Sequence, residues 1–126
     1  MGNLSYLNYG SEERSTIPVK LRITILSDQA MQQAIQYPGE EQYNSKQKVL
    51  ISRDGTHIDG DALTAREKKP DGTLVLTTEG TGLDDNRSAR IQMVYMISET
   101  KFSVQKNVRF PESDAYFNRN EYSFSR

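Results

Sequence analysis

The stretch IPVKLRITI limits this chain most, because Ile17, Val19, Leu21, Ile23 and Ile25 occupy every second position. Apolar residues with period two lie on one face of a strand, whereas a helix needs spacings of three and four. The segment after it, AMQQAIQY, also contains a helical stripe (Ala30, Met31, Ala34, Ile35). Folding it back across Ser27-Asp28-Gln29 sets Ile25 opposite Met31, Leu21 opposite Ile35 and Val19 opposite Tyr37, which favours a strand.

Turn chemistry extends the pattern. SRDGTH reads as a hairpin about Asp54-Gly55, with Ile51 opposite Ile58 and Val49 opposite Gly60. KKPDGT reads as a Pro-Asp-Gly turn joining ALTARE to TLVLTTE, with Leu63 and Ala65 facing Leu74 and Leu76. The two registers differ in parity, so a β-bulge is expected between Gly60 and Leu63. The glycines of EGTGLDD read as a loop over one barrel end. Around Glu99-Thr100, Ile97 meets Phe102, Tyr95 meets Val104, Met93 meets Lys106 and Ile91 meets Val108. A closing strand with its loop at Pro111 to Ala115 then sets Phe102 against Phe124 and Val104 against Tyr122. Phe117, Arg119 and Glu121 are thereby expected on its exposed face.

Nine or ten short antiparallel runs with no long helix define an all-β chain. Closing them removes bare edges, so the expected fold is one domain over residues 1–126, an antiparallel up-and-down β-barrel of about 8–10 strands. Leu, Ile, Val and Phe make up little more than a fifth of the chain, which suits a barrel incompletely filled by its own side chains. The chain has no cysteine, which excludes disulfides, thiolate nucleophiles and zinc–thiolate sites. No run reaches the roughly 18 apolar residues of a membrane span. Net charge is −1 with both signs scattered, so nucleic acid is not an expected partner. Tyr6 stands where N-myristoylation wants Ser or Thr, and no signal peptide is read. A soluble protein of unassigned compartment, cytoplasm or periplasm, is the expectation.

Lys106 is the most informative residue. It lies in the inward row Phe102, Val104, Lys106, Val108, Phe110, where an ammonium is costly unless paired or wet. It either receives the anionic head of an apolar ligand, snorkels to water or forms an internal ion pair. Met93, Tyr95, Asn120 and Tyr122 are its cross-strand neighbours, and Gln33 and Asn118 are expected to share the interior. In RDGTHIDGD, His57, Asp59 and Asp61 alternate near Asp54, but the pattern is not that of a calcium loop, and no metal or cofactor is expected. His57 is the only histidine and no Gly-x-Ser-x-Gly elbow accompanies it, so catalysis is the weakest reading.

The strand meander, with LSYLNYGSEERSTIPVKL, YPGEE and FNRNEYSFSR, resembles the calycin-type barrels and in particular small bacterial lipocalin-like domains. The resemblance implies a lipocalin-like barrel that takes a small molecule inside. Lipocalins open with Gly-x-Trp packed on an Arg of the last strand. There is no Trp here, Arg119 or Arg126 would be that Arg, and Gly2 would mark a trimmed first strand. Fatty-acid-binding proteins grip a carboxylate with an Arg and a Tyr near the C-terminus. Arg119 and Tyr122 echo that pair, but a spacing of three sets them on opposite faces of a regular strand. The leading expectation is a lipid-like, hydrophobic or anionic amphiphilic ligand held by Lys106, Met93, Tyr95, Asn120, Tyr122, Gln33 and Asn118. The alternative is a side-chain-filled structural barrel acting as a homodimer or on a protein partner.

Overall fold

A computed structural model describes residues 2–8 and 11–125. Its ten strands are β1 (Gly2–Asn8), β2 (Glu13–Ser27), β3 (Ala30–Gln36), β4 (Ser45–Leu50), β5 (His57–Ile58), β6 (Asp61–Lys68), β7 (Leu74–Asp84), β8 (Arg87–Ile97), β9 (Lys101–Arg109) and β10 (Phe117–Ser125). A single 3₁₀ turn at Glu41–Tyr43 is the helical structure among the described residues. Every pairing is antiparallel, in the order β4-β3-β2-β1-β10-β9-β8-β7-β6-β5. A bridge between Ile51 and Ile58 joins the two ends of that order, so the sheet curls into a nearly closed up-and-down barrel.

β1 lies between two neighbours, pairing with β2 through Leu4 and Ile17 and with β10 through Leu4 and Tyr122. Gly2 has a steric role there, since a Cβ at that position would collide with the Ser123 carbonyl and the Phe124 ring. The IPVKLRITI strand and its partner hold the expected register, with Leu21 opposite Ile35 and Ile25 opposite Met31. β8, β9 and β10 also align as the apolar pattern requires, with Tyr95 opposite Val104 and Val104 opposite Tyr122.

Four local expectations change. The parity switch occurs at Thr64, because Leu63 pairs with Thr78 and Ala65 with Thr77. Asp59 and Gly60, both at positive φ, form instead a tight turn between β5 and β6, so Val49 has no strand partner at Gly60. The Pro70-Asp71-Gly72 turn closes on a Lys69–Thr73 pair, and this sets Lys68 opposite Leu74 and Arg66 opposite Leu76 in place of Leu63 and Ala65. The EGTGLDD segment is not a loop. β7 runs through it to Asp84 and turns at Asp85-Asn86, two residues at positive φ of the kind that matches strand twist.

Leu4, Val19, Ile35 and Phe124 form one buried cluster, joined by Ile17, Leu21, Tyr37, Phe102 and Tyr122. Val19 and Val108 are completely buried, while Leu83 is 68% exposed. Val108→Ala should therefore cost about 2 kcal/mol of unfolding free energy from lost transfer and the cavity left behind. Leu83→Ala should stay within about 0.5 kcal/mol in the same denaturant titration.

Candidate functional site

The inner face of β8, β9 and β10 carries Met93, Tyr95, Val104, Lys106, Asn120 and Tyr122, and these six line an interior cavity of about 240 Å³. Gln33 reaches it from β3, and Leu21, Ile35, Phe102 and Phe124 supply its apolar wall. Gln47 and Asp59 line it as well yet are exposed, so solvent enters between β4 and the β5–β6 turn. That is the seam at which the isolated Ile51–Ile58 bridge stands in for a ladder.

Lys106 points inward, and its ammonium is ion-paired within the barrel. Lys106 Nζ donates to Asp84 Oδ1 at 3.1 Å, and Arg119 Nε lies 3.5 Å from Asp84 Oδ2. One buried carboxylate thus sits between two cations, which offsets part of the cost of removing all three from water. Arg119 also donates through Nη1 to the Leu7 carbonyl, tying β10 to the end of β1.

A bulge in β10 creates this arrangement. Asn118 pairs with Asn107 and Asn120 with Lys106, which leaves Arg119 as the extra residue. The inserted residue reverses the alternation, so Arg119 turns inward and Asn118 outward. Asn118 is therefore not a cavity residue, contrary to the sequence expectation. It joins an outer ladder in which its Nδ2 donates to Asn107 Oδ1 at 3.2 Å and its Oδ1 accepts from Arg14 Nη2 at 2.6 Å. Phe117 also leaves the exposed face, being opposite the buried Val108 and 5.9 Å from the Phe110 ring. Of the three residues expected on the outer face of β10, Glu121 stays there, accepting from Gln105 Nε2 at 3.2 Å. Arg119 and Tyr122 come to the same side because the bulge cancels the parity of their spacing. Arg126 lies outside the described residues.

Asp84 is the site residue that the sequence reading missed. The Asp85-Asn86 turn was the available signal, because it extends the inner row Leu74, Leu76, Thr78, Gly80, Gly82 to Asp84. The row narrows to glycine where space runs out, since a Cβ at Gly80 would strike the Asp61 carboxylate. Asp61 thus faces Gly80, and His57, Asp59 and Asp61 do not share a face, because the Asp59-Gly60 turn interrupts their alternation. Asp54 accepts from Ser52 Oγ and Thr56 Oγ1, both at 2.7 Å, and these bonds hold its carboxyl down at about 2. Asp59 Oδ1 accepts from the Leu50 amide at 2.8 Å. Among the described residues no three His, Cys, Asp or Glu side chains gather to hold a metal.

Two phenols in the cavity lining are held neutral by their surroundings. Burial, with Asp59 and Asp61 nearby, pushes Tyr95 up to about 12. Burial and the hydrogen bond to Tyr37, 2.8 Å between the hydroxyls, also push Tyr122 up. Both phenols therefore stay neutral hydrogen-bond donors well above neutral pH. Comparison with family models, curated proteins and solved structures returns no match, so the geometry alone carries the functional reading. No helix among the described residues is long and apolar enough to cross a membrane.

A double-mutant cycle should detect the ion cluster. Asp84→Asn strands two cations and should cost near the lower end of about 3–5 kcal/mol, since both remain partly wet. Lys106→Met should cost less, because Asp84 keeps Arg119, and the two changes should couple by about 0.5–3 kcal/mol in unfolding titrations. The phenols set a second expectation. A proton bound more tightly in the folded state contributes stability below the unfolded value near 10 and loses it as pH rises toward about 12. Unfolding free energy should fall across that window, and it should fall less steeply in Tyr95→Phe.

Proposed function

We propose that this barrel is a lipocalin-like binding module for a compact amphiphile with an anionic head. The observation that carries the reading is the interior cavity of about 240 Å³, whose lining combines an apolar wall with Lys106. Lys106 has three N–H donors and gives one to Asp84, a carboxylate that Arg119 shares. An incoming carboxylate or phosphate would take a remaining donor, with Tyr122 and Asn120 as neutral partners beside it. Leu21, Ile35, Phe102 and Phe124 would cover the apolar body.

Size narrows the ligand. The volume is below the roughly 300–1,000 Å³ of sites that enclose drug-sized molecules. A medium-chain acid fits this measure better than a long one, whose tail would have to leave the barrel. Met93 and Tyr95 belong to the wall in this reading, Gln33 supplies an amide at its far side, and Asp59 stands at the solvent opening. Asp59 also disfavours an anion that stops at the seam, which selects for insertion past it.

Calorimetric titration with octanoate and octanol tests the proposal. Wild type should prefer octanoate, and Lys106→Met should weaken octanoate by at least about tenfold, the effect of one charge-assisted hydrogen bond of about 1.5–3 kcal/mol, while leaving octanol unchanged. Equal losses for both ligands would show that Lys106 does not read the head group. Binding of neither by wild type would return the barrel to a structural role.

A further inference from the structure

We infer that the outer face of β2, β3 and β4 docks on an anionic lipid surface, with the aliphatic rim at the adjoining end of the barrel entering the interface. After Glu13 these three strands carry no acidic residue, whereas Arg14, Lys20, Arg22, Lys46 and Lys48 are all exposed. Cross-strand register groups three of the cations. Arg22 lies opposite Ala34 and Ala34 opposite Lys46, while Thr24 lies opposite Gln32 and Gln32 opposite Lys48. Lys20, Arg22 and Lys46 border a shallow groove of about 530 Å³ floored by Gln32, Ala34 and Gln36. The whole chain has a net charge of −1, so this face is a segregated positive field on a slightly acidic protein.

A second observation sits at the end of the same strands. Ile25, Leu26 and Leu50 are exposed there, Ile25 to 72%. Ile51 and Ile97 add exposed aliphatic surface at that end of the barrel. Lysines on a thinly paired strand also discourage edge-to-edge association. That role needs no exposed isoleucine and leucine beside them. Nucleic acid fits less well, because none of the three strands carries an aromatic residue on which a base could stack. An anionic bilayer meets both demands, since cations lie against head groups and short aliphatic side chains reach the acyl boundary. β4 also borders the opening beside Gln47, so docking this face would bring the opening close to the lipid.

Vesicle co-sedimentation of the whole chain tests this independently of any ligand in the barrel. Phosphatidylcholine vesicles with about 30% phosphatidylglycerol should bind the protein, neutral vesicles should not, and about 1 M salt should release it. Lys46→Gln with Lys48→Gln should reduce partitioning more than tenfold, at about fivefold for each cation removed. Ile25→Ser with Leu26→Ser should weaken it at low salt, and Lys106→Met should leave it unchanged. Unfolding midpoints of the variants confirm that each is folded. Equal binding to neutral vesicles, no binding to anionic ones, or unchanged partitioning in folded Lys46/Lys48 variants would overturn the inference. Capture by polyglutamate or a DNA oligomer with no vesicle binding would also overturn it.

Discussion

Closure of the barrel by β1 is the constraint on which the interior depends. This strand lies between β2 and β10, so it joins the first part of the meander to the last. Its pairings bring Leu4 against both Ile17 and Tyr122. Without them the row Tyr122, Phe124, Phe102 would be an open sheet face, and the buried cluster of Leu4, Val19, Ile35 and Phe124 would have no enclosed centre. Gly2 permits the approach because nothing larger than hydrogen fits between its Cα and the β10 backbone.

A closed barrel must settle the charges it encloses. The cluster of Asp84, Lys106 and Arg119 does so with one carboxylate for two cations. The arrangement needs three separate features: a β7 long enough to carry Asp84 inside, an unbroken inner row through Lys106, and a bulge that turns Arg119 inward. Polar satisfaction inside the barrel is therefore coupled to strand register, and a slip of one residue in β10 would leave Asp84 and Lys106 with a different neighbour. The cavity owes its chemical character to the same register, since it places Lys106, Asn120 and Tyr122 on one wall facing Leu21 and Ile35.

Much of this was legible as pattern. Alternation in β2, β8, β9 and β10 fixed which side chains face inward, and Met93, Tyr95, Lys106, Asn120 and Tyr122 followed from pairing those rows. Asn118 and Arg119 did not follow. A bulge changes parity without any change in composition, and NRN offers no glycine to announce it. Asp84 was hidden for a related reason. The glycines before it look like a loop, whereas they are small residues fitted to a crowded part of the wall, beside Asp61 and Ile91.

The sequence by itself determined the antiparallel all-β class, the inward rows and the hairpins with strong turn residues, because period two and turn preference are local properties of the chain. Tertiary structure decided the bulge positions, the partner of Lys106 and the size of the cavity. Those depend on contacts between residues far apart in the chain: Asp84 with Lys106 and Arg119, Leu4 with Tyr122, Ile51 with Ile58. Local pattern cannot set such distances. They are fixed once the sheet closes and each inner side chain must share one small volume with the others.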